Sequence, residues 1–157
     1  MSRALRRIFP GQHSQVAHAR DFVRRAVGPG CPRLDEATLL TSELCTNALQ
    51  HTASGAGGSF EVTVFRQPDA LRVEVRDEGA DSKPAVRSLA DMSENGHGLE
   101  IVHLIADGWG QTGDRFGRTV FFELRWPPAL GQSPAGHDPA QHSGDHHQDD
   151  RRVEARR

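Results

Sequence analysis

Apolar residues recur every three or four positions in three parts of the chain, and this spacing predicts three amphipathic helices. The first helix has an apolar stripe formed by Val16, Ala19, Val23 and Ala26. Ser14 is its predicted N-cap, and the Gly-Pro-Gly run at 28–30 is predicted to end it. The second helix is predicted to run from about Leu34 to His51, and the third to begin near Gly98. The predicted buried stripe of the second helix consists of Leu34, Ala37, Thr41, Leu44, Ala48 and Thr52.

Alternation of apolar residues with their neighbours predicts two β-hairpins, one on each side of the third helix. The first hairpin turns at 67–69, and its inward residues are Phe60, Val62, Val64, Leu71, Val73 and Val75. The second hairpin is predicted at about 108–112 and 119–126. A sheet with one apolar face needs helices against that face. The sequence therefore predicts a two-layer α/β sandwich.

The composition changes at Pro127, which divides the chain into a folded domain at 1–126 and a tail at 127–157. The tail is rich in Pro, Gly, Ser, His, Asp and Arg and nearly lacks large aliphatic residues, so it cannot offset the entropy of ordering itself. We expect it to be disordered. The histidines at 142, 146 and 147 allow a divalent metal site as an alternative to a solvated tail, although no cysteine or fixed scaffold supports one.

Composition and charge exclude several classes of protein. The 157 residues suit one domain, and a net charge of −2 gives no reason to expect nucleic acid or an anionic membrane surface as a partner. No apolar run approaches the ~20 residues that a membrane-spanning helix needs, and no long apolar stretch follows the basic N-terminus. The two cysteines form no disulfide framework. These observations favour a protein of the cytoplasm.

Glu43 and Asn47 stand four residues apart, which places them on the same face of the second helix. That face adjoins the buried stripe, so both side chains can project into a pocket beside the core. An amide oxygen suits Mg²⁺ alongside phosphate oxygens and water. A carboxylate can orient or deprotonate an attacking hydroxyl. The alternative is an exposed polar pair on an amphipathic helix.

Asp77 follows an alternating strand, and Gly79 stands two residues later. The glycine would let the backbone turn tightly and approach a ligand closely. A carboxylate at that position can accept a hydrogen bond from an exocyclic amine such as that of adenine. The alternative is an ordinary turn, in which aspartate and glycine are both common.

Gly96 and Gly98 come just before an apolar helix that includes Leu99. Free N–H groups at a helix start attract phosphate, and the helix dipole adds to this attraction. Ile101 stands where a dinucleotide fingerprint would have its third glycine, and no P-loop lysine is present. The alternative is a flexible loop ahead of a helix.

In this order the three motifs resemble the N box and the two glycine boxes of the ATP-binding domain shared by gyrase, histidine kinases, mismatch-repair ATPases and a heat-shock chaperone. The resemblance covers roughly residues 5–126. It implies a Bergerat-type fold, in which a mixed, mostly antiparallel sheet carries helices on one face. It also implies that the ligand is ATP with Mg²⁺. Within this superfamily the chain is most similar to the small anti-sigma-factor serine kinases, because it is a bare ATP-binding domain with glutamate at position 43.

The resemblance implies a role for each matched residue. Glu43 would be the general base acting on a partner's serine, and Asn47 would hold Mg²⁺. Asp77 would read the adenine amino group and Gly79 would shape the pocket around it. The remaining predicted nucleotide-binding residues are Gly96, His97, Gly98, Leu99 and Thr119. Gly96 and Gly98 would meet the phosphates and hinge the lid, and Thr119 would support adenine from the side of Asp77.

His97 stands where the second glycine box often has arginine. A neutral imidazole contributes less to triphosphate binding than a guanidinium does. Because the unperturbed imidazole pKa is about 6.5, a contribution of His97 would make ATP affinity depend on pH. The alternative is an exposed loop residue.

Two functional classes follow from the resemblance. The first is a serine protein kinase that switches partners, with an anti-anti-sigma-like protein as its substrate and a sigma factor as a further candidate partner. The second is a nucleotide-dependent binding module that sequesters a regulatory partner without catalysis. Glu43 favours the first class, because a pure binder needs no base beside Asn47. A homodimer is compatible with both classes, since the sequence leaves the oligomeric state open.

Overall fold

The computed structural model describes residues 3–51, 53–79, 98–114 and 116–128. These residues form three α-helices and five strands, apart from a short 3₁₀ turn at Ala53–Gly55. In chain order they are β1 (Arg3–Pro10), α1 (Gln15–Val27), α2 (Leu34–His51), β2 (Ser59–Arg66), β3 (Ala70–Asp77), α3 (Gly98–Ile105), β4 (Gly108–Asp114) and β5 (Gly117–Arg125). No described helix is both long and apolar enough to cross a bilayer.

The strands form one sheet in the order β1-β2-β3-β5-β4, and every pairing between them is antiparallel. The register aligns the apolar residues of neighbouring strands. Val62 faces Val75, and Val73 faces Phe122. Because paired residues in an antiparallel sheet point to the same side, these side chains form one continuous apolar face.

The helices cover that face, and the core lies between the two layers. Side chains of the sheet and of α1 and α2 are buried together there, among them Phe9, Val23, Leu40, Leu44, Phe60, Val73 and Phe122. The described sheet is thus antiparallel with helices on one face. The predicted two-layer α/β sandwich is confirmed.

The predicted bounds of α2 are confirmed, as are both hairpins. The end of α1 is also confirmed, because Gly28 adopts a φ of 78° and donates its N–H to the carbonyl of Arg24. Ser14 stands at the predicted N-cap position, directly before α1, but the capping hydrogen bond is absent. Its backbone is helical (φ −59°, ψ −25°), whereas an N-cap residue needs an extended backbone to direct its oxygen at the helix. Thr52 lies outside the described residues, as does the predicted tail beyond residue 128.

Arg33 joins three segments at the start of α2. Its guanidinium pairs with the carboxylates of Glu36 and Asp107. It also donates to the carbonyl of Ile105 at 3.0 Å, and to that of Arg125 at 3.3 Å. One half-buried side chain therefore ties α2 to the end of α3 and to β5.

Replacement of Arg33 by alanine should lower the free energy of unfolding by about 1.5–3 kcal/mol, because it removes charge-assisted hydrogen bonds to two carboxylates and two carbonyls. Urea unfolding followed by circular dichroism measures the change. The matched control is Arg24→Ala, whose ion pair with Asp21 is half exposed on both sides and should contribute less than about 1 kcal/mol. Equal losses in the two variants would show that Arg33 is an ordinary surface residue.

Candidate functional site

The face of α2 that carries Glu43 and Asn47 lies beside the core, since Leu44, Cys45 and Ala48 between and after them are buried. The Nδ2 atom of Asn47 is itself buried, and it has no hydrogen-bond partner among the described residues. An unmade buried hydrogen bond costs about 1–3 kcal/mol. The buried Nδ2 is therefore a donor that a bound acceptor would satisfy.

Glu43 lies against the start of α3. A Cβ atom built on Gly98 would come within 2.7 Å of Oε2 of Glu43 and within 3.7 Å of its Cβ. Only glycine leaves room for the carboxylate in this position. Leu99, which is buried, anchors the same end of α3 in the core. The structure thus brings the predicted N box and the end of the predicted second glycine box together.

Asp77 is the last residue of β3, and its side chain is 1% exposed. Its Oδ1 accepts a hydrogen bond from the N–H of Gly79 at 2.8 Å. Its Oδ2 accepts one from Nε of Arg118 at 3.2 Å. Gly79 is buried with a φ of 75°, a conformation that glycine adopts without strain. The glycine therefore turns the chain sharply back onto the carboxylate.

Burial raises the pKa of Asp77 above its ordinary value, while the charge of Arg118 and the N–H of Gly79 act in the opposite direction. Burial has the larger effect because a charged carboxylate loses hydration that its two partners do not fully replace. A buried acid with a shifted pKa at the end of a strand is typical of a functional site.

The structure does not bring Thr119 to Asp77. Asp77 pairs across the sheet with Arg118, and Arg76 pairs with Thr119. Since paired residues share a face, Arg118 stands on the side of Asp77 and Thr119 stands on the opposite side. The expectation that Thr119 supports adenine from the side of Asp77 is therefore not met, and Arg118 occupies that place.

The inward position of Arg118 has a signal in the sequence. Val120 and Phe122 alternate inward along β5, and continuing this alternation by one step places residue 118 inward as well. The strand period alone would have assigned Arg118 to the core side. The partner of that side chain, Asp77, becomes known only from the strand pairing.

The part of the chain that the structure describes contains no group of three or more His, Cys, Asp or Glu side chains able to hold a metal. When Mg²⁺ is bound with a nucleotide it keeps several waters and phosphate oxygens and takes few protein ligands. At Asn47 the amide oxygen would be the ligand of the ion, whereas the buried Nδ2, which has no partner among the described residues, is a donor suited to an acceptor such as a phosphate oxygen. Gly96 and His97 lie outside the described residues, so their phosphate contacts remain predictions.

An antiparallel sheet with helices on one face, a polar face of α2 beside the core and a buried carboxylate at the end of β3 together define a two-layer α/β sandwich with a candidate ligand site between α2 and the end of β3. The family described as "Histidine kinase-like ATPase domain" matches residues 9–120, which is more than two thirds of the chain. The chain therefore belongs to the histidine kinase-like ATPase family, whose members share an ATP-binding domain. A comparison with curated proteins gives no match.

Proposed function

We propose that this protein is a serine protein kinase that acts as an anti-sigma factor, with an anti-anti-sigma-like protein as its substrate. The observation that carries the proposal is the position of Glu43. Its carboxylate lies at the start of α3, one helical turn from Asn47. A base beside the predicted phosphate site serves phosphate transfer, whereas simple nucleotide binding does not require one.

Nucleotide binding in this proposal uses four parts of the site. Asp77 accepts a hydrogen bond from the adenine amine, and Gly79 shapes the pocket around it. Gly98 meets the phosphates at the start of α3, together with Gly96. Asn47 holds Mg²⁺, which neutralises phosphate charge when it is bound.

Phosphate transfer in this proposal uses Glu43 as the base. Its carboxylate takes the proton of the partner's serine hydroxyl while the serine oxygen bonds to the γ-phosphorus. The bond from the γ-phosphorus to the bridging oxygen breaks, and ADP leaves. The protein contributes positioning and charge neutralisation, with no covalent intermediate on its own side chains.

The test is whether ADP formation depends on a partner protein. The purified chain is incubated with γ-labelled ATP, with and without proteins captured from cells in the presence of ATP, and labelled serines are mapped by mass spectrometry. The proposal predicts label on a serine of one captured protein, and little ADP without that protein. Stable capture with no label on any protein would instead support the nucleotide-dependent binding module.

Gly98→Ala should reduce phosphate transfer about tenfold, because a misplaced catalytic group has large effects on rate. The added methyl group displaces the carboxylate of Glu43, which is the free end of a flexible side chain. Folding should be unaffected, since alanine suits a helix better than glycine does. Single-turnover transfer and thermal melting measure the two effects.

Gly30→Ala is the matched control for Gly98→Ala. A Cβ at Gly30 would meet nothing within 4 Å. Its transfer rate should equal that of the wild type. A normal rate in Gly98→Ala as well would show that the contact between Gly98 and Glu43 is irrelevant to transfer.

A further inference from the structure

Arg118 has a buried hydrogen-bond donor that the described protein does not use. Its Nε donates to Oδ2 of Asp77 at 3.2 Å. Its Nη2 is buried and has no partner among the described residues. The side chain as a whole is 24% exposed. An unpaired buried donor is costly, so Nη2 is a candidate hydrogen-bond donor to a bound ligand.

The geometry of the guanidinium fixes where this donor lies. Nε–H and Nη2–H stand on the same edge of the planar group, in a rigid fork. Because Nε bonds to Asp77, the Nη2–H emerges alongside the same carboxylate. One oxygen of Asp77 accepts the N–H of Gly79 and the other accepts Nε–H of Arg118, while the backbone N–H of Arg118 also acts on the carboxylate. A carboxylate has about four acceptor positions, so at least one is left for a ligand. Asp77 and Arg118 therefore present an acceptor and a donor side by side.

Adenine has the complementary arrangement. Its exocyclic amine is a donor, and a ring nitrogen that accepts hydrogen bonds flanks the amine on each side, N1 on one edge and N7 on the other. We propose that Arg118 is a second base-reading residue, which donates from Nη2 to a ring nitrogen beside the amine that Asp77 accepts. The inference rests on the proposed role of Asp77 as the reader of that amine.

Two other roles for Arg118 predict different effects of its removal on nucleotide affinity. If Arg118 merely fills the pocket until the nucleotide enters, its removal strengthens ATP binding. If it only holds Asp77 in place, its removal weakens every adenine nucleotide equally. If Arg118 donates to a ring nitrogen, its removal abolishes the difference in affinity between ATP and an analogue that lacks that nitrogen. Neither of the other two roles predicts this result.

The experiment is calorimetric titration of the full chain with Mg²⁺ and ATP, 1-deaza-ATP or 7-deaza-ATP. Each analogue keeps the amine and the triphosphate but replaces one ring nitrogen with C–H. In the wild type, one analogue should bind about tenfold more weakly than ATP, the usual consequence of one unmade hydrogen bond in a buried site. The other should bind like ATP, and the pattern identifies whether N1 or N7 is read.

Arg118→Met should bind ATP about tenfold more weakly and lose the discrimination, because the donor to the ring nitrogen is gone. The titrations are made at pH 8, since removing the positive charge of Arg118 raises the pKa of Asp77 further and the carboxylate must stay ionised. Arg118→Lys keeps the charge without the fork and should also lose most of the discrimination.

Arg76→Met is the matched control. Arg76 is exposed and precedes Asp77 on the opposite face of the sheet, so this variant removes one charge near the site without touching the pair. It should keep the discrimination of the wild type. Thermal melts by circular dichroism establish that each variant is folded, and the wild-type comparison of the three ligands needs no variant at all.

Three results would overturn the inference while ATP still binds. They are equal affinity of the wild type for all three ligands, tighter ATP binding by Arg118→Met, and equal weakening of all three ligands in that variant. Failure of the wild type to bind ATP at all would overturn the proposed site itself. The two failures are thus distinguishable in the same set of titrations.

Discussion

Asp77→Asn should weaken the binding of Mg·ATP at least about 100-fold, since losing a buried charged acceptor costs roughly 3 kcal/mol or more. The substitution keeps the size of the side chain but replaces one acceptor oxygen with an NH₂ group. That NH₂ group and the adenine amine are both hydrogen-bond donors, so they would repel each other instead of forming a bond. It would also leave Arg118 without its carboxylate partner. Isothermal titration calorimetry measures the loss directly.

Asp69→Asn is the control for Asp77→Asn, because Asp69 is an exposed acid in the turn between β2 and β3. It should bind ATP like the wild type. Thermal melting should show that Asp77→Asn is folded. Binding within about threefold of the wild type, a free-energy difference below about 1 kcal/mol, would remove Asp77 from the site.

The same carboxylate gives ATP binding a defined pH dependence. Ionised Asp77 is the stronger acceptor for the amine, because protonation turns one of its oxygens into a donor and removes the charge, and burial raises its pKa. As pH falls, the affinity for ATP should therefore be lost at a pH above about 3.9, the ordinary pKa of an aspartate. Because the folded-state pKa is raised, this group by itself makes the ligand-free fold more stable as pH falls through that window. Calorimetry from pH 8 to pH 4.5, with circular dichroism at each pH, separates loss of binding from unfolding.

Glu43→Ala should bind Mg·ATP nearly as well as the wild type and transfer phosphate about 100- to 10,000-fold more slowly, which is the usual contribution of a general base. The effect falls on the rate rather than on affinity, because Glu43 acts on the incoming hydroxyl and the other residues hold the nucleotide. Single-turnover transfer to the partner, measured with ATP saturating, isolates the chemical step.

Asp35→Asn is the control for Glu43→Ala, since Asp35 is an exposed acid in the first turn of the same helix. Its transfer rate should be that of the wild type. An undiminished rate in Glu43→Ala would show that another group takes the proton. If no phosphate transfer is found even in the wild type and partner capture still depends on ATP, the protein acts as a binding module.

The helices and hairpins were predictable because their signals are local. The bounds of α2 follow from the spacing of its apolar residues, and the hairpin of β2 and β3 follows from alternation around a three-residue turn. Strand β1 had no such signal. Among the side chains described at 4–10 only Phe9 is buried, and Arg6 and Arg7 are exposed to solvent. Its pairing with β2, and not its own pattern, makes it a strand.

Part of the site was also predictable from spacing. Glu43 and Asn47 share a helix face because they are four residues apart, and Asp77 and Gly79 share a turn because they are two apart. The prediction that Thr119 lies on the same side of the sheet as Asp77 was wrong. A motif match locates a residue in the sequence but not on a face of a strand, and one step along β5 exchanges the two faces.

The sequence by itself determined which residue types are available and which helix, turn or strand carries each of them, because those features depend on neighbours a few positions away. The tertiary structure decided which of these residues meet. It set the carboxylate of Glu43 against Gly98 and paired Asp77 with Arg118. These contacts depend on strand register and on the packing of α2 against α3, which are fixed by burial of the whole apolar face rather than by any local pattern.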